Sequence, residues 1–131
     1  MKTYLLTLFG LLACHFLFSQ ILTVNSGSSV AIASGSSVTL SGLEIVPSDT
    51  YVISGDNAVS RSASAITAGD NSSVSRVYST TALLSGFTGT LSFSYLEGEL
   101  NDIAEADLVL ELQADDDSWS SYTGTVDETN N

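Results

Sequence analysis

In residues 89–98, GTLSFSYLEG, the side chains of Leu91, Phe93 and Tyr95 stand two apart, with Ser92 and Ser94 between them. A strand sends successive side chains to opposite faces, whereas a helix would scatter these three around its circumference. The reading is a strand over Thr90–Leu96 with one face turned to a core. The same period recurs on both sides of it. In DLVLELQ, Leu108, Leu110 and Leu112 alternate with Val109, Glu111 and Gln113. In SSVAIAS and SSVTLSG, Val30 shares a face with Ile32 and Val38 with Leu40. With Leu43–Val46, Tyr51–Ser54, Ser75–Thr80 and Trp119–Thr123, these runs predict about seven to nine strands.

The connections agree with that reading. Gly-Asp-Asn occurs at Gly55–Asn57 and Gly69–Asn71, residue types that favour turns and left-handed backbone. Between them, Ala58–Ala68 fits an edge strand or one poor helical turn equally well. NDIAEAD, 101–107, fits a short helical turn with Asp102 as its cap. The string SGSSV stands at Ser26–Val30 and again at Ser34–Val38, which predicts a hairpin or two rungs of a stacked β-structure. Ser and Thr, 36 residues in all, supply polarity without charge. The expected fold class is all-β: an antiparallel β-sandwich or jelly-roll-like module over 43–131, preceded by a short repetitive β segment over 20–42.

Residues 1–19 read as a secretory signal peptide. Lys2 opens it, and LLTLFGLLACHFLF runs from Leu5 to Phe18. The run is shorter than the roughly 20 apolar residues of a membrane-spanning helix. The expectation is therefore a secreted or outer-surface protein whose mature chain has no membrane span. Leu11-Leu12-Ala13-Cys14 offers the alternative of a lipoprotein anchored through Cys14. Either route removes most reactive side chains. Beyond residue 19 the sequence holds no Cys, His, Lys or Met.

That composition restricts function. Ser-His-Asp and Cys-His nucleophilic systems need an imidazole, zinc prefers nitrogen and sulfur ligands, and a disulfide framework needs cysteines. Glycoside hydrolysis by two carboxyl groups survives this filter, but so short a chain leaves little room for a walled cleft. The reading is a protein that is not an enzyme. The formal net charge is −12, or −13 without Lys2, and only Arg61 and Arg76 oppose the fifteen acids beyond it. Phosphate backbones are held by clustered Lys and Arg, so nucleic acid is excluded as a partner.

Eleven acids lie between Glu97 and Glu128. Hard cations take six to eight oxygen ligands, so Glu97, Glu99, Asp102, Asp107, Asp115, Asp116 and Asp117 are candidate calcium ligands, although their spacing matches no EF-hand loop. Trp119 and Tyr122 are candidate sugar-stacking rings, weighed against the commoner role of an aromatic ring in covering a core or sheet edge. Arg76 reads as an ordinary ion pair. The leading expectation is a non-catalytic structural or adhesive module without a cofactor, and the alternative is a calcium-stabilised carbohydrate-binding domain. An extracellular glycan or surface protein is the expected partner.

The stretch from SRVYST through FTGTLSFSYLEGELNDIAEADLVLELQADDDSWSSYTGTVDETNN resembles modules of large secreted or cell-surface proteins of Bacteroidota, many of them cargo of type IX secretion. SGSSVAIASGSSVTLSG is similar to the repetitive β segments that precede such modules. The resemblance covers Ile21–Asn131 and rests on composition and order rather than on catalytic signatures. It implies surface display, and a chain ending at Thr129-Asn130-Asn131 is then expected to be the N-terminal fragment of a longer protein.

Overall fold

The structure, a computed structural model, describes residues 19–68, 71–82, 84, 86–114 and 116–129. The leader through Phe18, with Cys14 and His15, Gly69 and Asp70 of the second Gly-Asp-Asn triplet, and Asp115 lie outside the described residues.

Six strands in the first half form one long, folded hairpin. They are β1 (Ser19–Val24), β2 (Ser29–Ile32), β3 (Val38–Leu40), β4 (Leu43–Pro47), β5 (Tyr51–Ser54) and β6 (Asn57–Ser62). They pair as nested antiparallel couples, β1 with β6, β2 with β5 and β3 with β4. The register climbs the two arms through Val24 opposite Asn57, Ile32 opposite Tyr51 and Val38 opposite Ile45, and ends at Leu40 opposite Leu43. At the tip, Ser41 and Gly42 have φ of 51° and 97°. Two successive left-handed residues are what a two-residue hairpin turn of the I′ kind requires.

The SGSSV repeat supplies the corners of the rising arm. Ser28 N donates to Asn25 O at 3.0 Å in the first corner, and Ser36 N to Ala33 O at 3.0 Å in the second. The glycine of each copy, Gly27 and Gly35, is left-handed at φ 77° and 70°, as the third position of a type II turn demands. Each copy is thus one corner followed by one strand. The two strands do not pair with each other, which corrects the expectation of a hairpin or two rungs: β2 takes β5 and β3 takes β4. Gly55 faces the first corner from the other arm so closely that a Cβ there would lie 2.8 Å from Asn25 O.

Four further strands complete the main body and its flank: β7 (Thr67–Ala68) pairs with β8 (Asn71–Ser72), β9 (Val77–Thr80) adds to β6, and β10 (Gly89–Phe93) adds to β4. Two three-stranded antiparallel sheets result, ordered β1-β6-β9 and β10-β4-β3. They enclose one core with the β2–β5 pair: Val24, Ile32, Leu40, Leu43, Ile45, Ile53 and Val59 are buried, and Tyr78, Leu91 and Phe93 pack against them. Burying one such aliphatic side chain is worth about 1.5–3 kcal/mol, so this cluster is the main source of cohesion. Tyr78 of β9 meets Phe93 of β10 at a ring separation of 5.6 Å, tying one sheet to the other. The protein is an all-β, antiparallel, sandwich-like fold with no α-helix among the described residues.

Two local expectations need correction. The Ala58–Ala68 stretch is neither an edge strand nor a helical turn at its start. Its first part is β6, the middle strand of its sheet, with Ala58 and Val59 both buried. Asp102 caps nothing: it is left-handed at φ 64°, after Asn101 at 54°, and the 3-10 turn that follows, Glu105–Asp107, starts from Ala104. Adjacent left-handed residues make a bend, and the helical turn can begin only beyond it. Past that turn, β11 (Leu110–Gln113) and β12 (Trp119–Tyr122) form a separate two-stranded sheet.

Candidate functional site

The only two cationic side chains among the described residues converge on one carboxylate. Glu99 closes the 3-10 turn Glu97–Glu99, Arg61 lies on β6, and Arg76 directly precedes β9. Arg76 donates from Nε to Glu99 Oε2 at 2.7 Å and from Nη2 to Oε1 at 3.0 Å, the two-pronged geometry that a planar guanidinium favours. Arg61 Nη2 donates to Oε1 at 2.7 Å, and Leu96 N donates to Oε2 at 2.9 Å. The side chains of Arg76 and Glu99 are only 11% and 15% exposed, so water competes weakly for these bonds.

Burial pushes the Glu99 carboxyl up, but the hydrogen bonds from Arg76 and Leu96 and the two guanidinium charges outweigh it and hold the group below its ordinary value. Arg76 is displaced the other way: burial lowers it, and its bonds to Glu99 and Tyr78 more than restore it. The cluster also grips the hairpin tip. Arg76 Nη1 and Tyr78 Oη both donate to Ser41 O, at 3.4 and 2.8 Å. A turn, two strands of one sheet and the tip of the long hairpin are thereby fastened at one point.

Among the described residues, the candidate site residues named from the sequence do not gather into one site. Glu99, a candidate calcium ligand, is committed to the two arginines. Glu97 and Asp107 are exposed on the two 3-10 turns, and Asp102 is exposed on the bend between them. Asp116 Oδ1 accepts from Ser118 N at 3.1 Å and from Ser118 Oγ at 2.6 Å; those two bonds lower its pKa. Asp117 accepts from Gln113 Nε2 at 3.3 Å. Among the described residues no three Asp, Glu, His or Cys side chains come together as a metal site would need.

Trp119 and Tyr122 both lie on β12, but three residues apart in a strand, and so on opposite faces. Tyr122 faces the same side as its partner Leu110, and Trp119 the same side as Gln113. One sugar ring cannot stack on both. A third aromatic stands among acids: Tyr95 Oη donates to Glu105 Oε1 at 2.9 Å. Desolvation, that bond and the charges of Glu105, Glu97 and Glu128 push the Tyr95 phenol up to about 12.

Sequence reasoning found Arg76 as an ion pair but passed over Arg61, Tyr78 and Ser41 as its neighbours. The usable signal was scarcity. Arginines are seldom enclosed without a carboxylate, and with so few cations any enclosed acid is drawn to them. Comparisons with protein-family models, curated proteins and solved structures find no match to this chain.

Proposed function

We propose that the chain is a non-catalytic structural or adhesive module displayed outside the cell, in keeping with the Bacteroidota surface modules that its sequence resembles. The observation that carries this reading is the use of its cations. Both arginines are spent on Glu99, where they fasten strands together, and residues 20–131 contain no His, Cys or Lys to take a proton or activate a nucleophile. A folded hairpin braced at its tip makes a stiff spacer. The remaining carboxylates and hydroxyls keep its surface hydrated.

The test uses the exported chain. Beads coated with it are expected to be retained on glycan- or protein-coated surfaces more strongly than beads coated with the heat-unfolded chain. The same preparation is expected to show no turnover of polysaccharide or peptide substrates. Turnover that disappears on replacing one carboxylate overturns the reading.

A further inference from the structure

The flank of the sandwich carries an open cleft bounded by β9, β10 and the β11–β12 hairpin, with a volume of about 2270 Å³. Small-molecule sites enclose roughly 300–1,000 Å³, so this space suits a larger, elongated occupant. Five of the seven exposed large hydrophobic side chains of the described residues line it: Ile66, Val109, Leu112, Tyr122 and Val126. Such clustering is the mark of an interaction surface rather than of scattered apolar exposure.

The backbone adds a second condition. Among the described residues β9 pairs only with β6, β10 only with β4 and β11 only with β12, so each presents an unpaired edge, and all three strands line the cleft. An unpaired edge is a template for an added strand. Charge supplies the third. Asp107, Glu111, Asp117 and Asp127 line the cleft, and its one cation, Arg76, is held by Glu99. A second copy of this chain would bring fifteen acids against them and no uncommitted arginine, so like charges would oppose self-association.

We propose that this cleft receives an extended, strand-forming peptide segment of a basic partner, with apolar side chains on one face and Lys or Arg on the other. Main-chain pairing to the open edge of β11 supplies affinity. The apolar row continues the face of Leu112 and Tyr122, and the cations lie on the opposite face beside Glu111 and Asp117, which is bonded to Gln113 of that face. This deepens the adhesive reading and rests on it, because it names the chemistry of the partner.

The test titrates the exported chain with three labelled heptapeptides and reads fluorescence anisotropy: alternating Val and Lys, alternating Val and Glu, and the Val-Lys peptide with Pro at its centre. The Val-Lys peptide is expected to bind about tenfold or more tighter than either of the others, with affinity falling as salt is added. The double change Glu111→Lys, Asp117→Lys is expected to reverse the preference toward the Val-Glu peptide. Peptide discrimination on the unaltered chain decides the matter even if that variant misfolds. Equal binding of the Lys and Glu peptides, or undiminished binding of the Pro peptide, overturns the proposal. So does concentration-dependent self-association in sedimentation that blocks peptide binding. Beads that adhere while no peptide binds would remove this inference and leave the adhesive reading standing, whereas substrate turnover would remove the adhesive reading itself.

Discussion

Arg76 and Glu99, 23 residues apart in sequence, meet through two parallel hydrogen bonds of 2.7 and 3.0 Å, and Arg61 reaches the same carboxylate from β6 at 2.7 Å. One carboxylate therefore serves two partly enclosed guanidiniums, and the triad keeps one positive charge in excess. The arrangement is asymmetric: losing the acid strands two cations, whereas losing one arginine leaves a balanced pair.

Replacing Glu99→Gln is expected to lower stability by about 3 kcal/mol, because both guanidiniums stay partly enclosed without a counter-charge. Arg61→Ala is expected to cost about 1 kcal/mol, its side chain being 25% exposed and Arg76 still serving Glu99. The joint change Arg61→Met, Arg76→Met, Glu99→Leu should recover much of the Glu99→Gln loss, since no charge is then stranded. Urea unfolding of the four chains measures the series. The pH dependence follows from the lowered Glu99 pKa. A carboxyl depressed by folding adds stability that is fully present above its unfolded value near 4.5 and is lost as the pH falls through the lower folded value. The gap between the native chain and Glu99→Gln should therefore narrow in acid and stay constant near neutrality.

Gly42 and Gly27 are both left-handed, at φ 97° and 77°, but their surroundings differ. A Cβ at Gly27 meets nothing within 4 Å, whereas one at Gly42 collides with Arg76 Nη1 and lies 3.3 Å from Ser94 O. Gly27→Ala is expected to cost about 1 kcal/mol, the strain of the backbone alone. Gly42→Ala should cost about 2–3 kcal/mol, because the arginine that grips the hairpin tip must also move. Thermal unfolding of both variants tests the difference, and equal losses would show that the tip is not clamped.

Alternation made the strands with one core-facing side legible. Leu91 and Phe93, or Leu43 and Ile45, carry a period of two because one face of each strand is core and the other is not. β6 escaped for a different reason: Asn57-Ala58-Val59-Ser60-Arg61-Ser62 buries two consecutive residues and is built mostly from small side chains that leave no period. The SGSSV copies were visible as a repeat, but partner choice is non-local, and nothing in eight residues says that β2 pairs with a strand beyond the hairpin tip. The same limit applied to Glu99. Composition placed it in an acidic region and suggested a cation ligand, while its actual cations lie 38 and 23 positions upstream.

Calcium is expected to leave the thermal midpoint within about 1 °C at millimolar concentration, because a ligand stabilises only where the native state gathers a site for it. Asp116 and Asp117 accept hydrogen bonds from Ser118 and Gln113, and Glu99 is held by arginines. A rise of several degrees that Asp116→Asn and Asp117→Asn abolish would establish a calcium site in the β11–β12 turn.

Tyr95 should titrate well above the ordinary phenol value. Its environment loses solvent, its hydroxyl donates to Glu105, and three carboxylates oppose the charge that ionisation would create, so its pKa rises from 10.0 to about 12. The linked stability has the sign of a raised pKa: it is fully present below the unfolded value of 10.0 and is lost as the pH climbs through the folded value near 12. Phenolate absorbance followed through alkaline titration should show a late step that Tyr95→Phe removes. Glu105→Gln should move that step back toward 10.0, because it withdraws both the charged acceptor and the nearest negative charge. Added salt should move it in the same direction by screening Glu97 and Glu128. If the step stays in place when Glu105 is replaced, desolvation and the charges of Glu97 and Glu128 hold the phenol neutral, and the Tyr95–Glu105 bond contributes nothing to it.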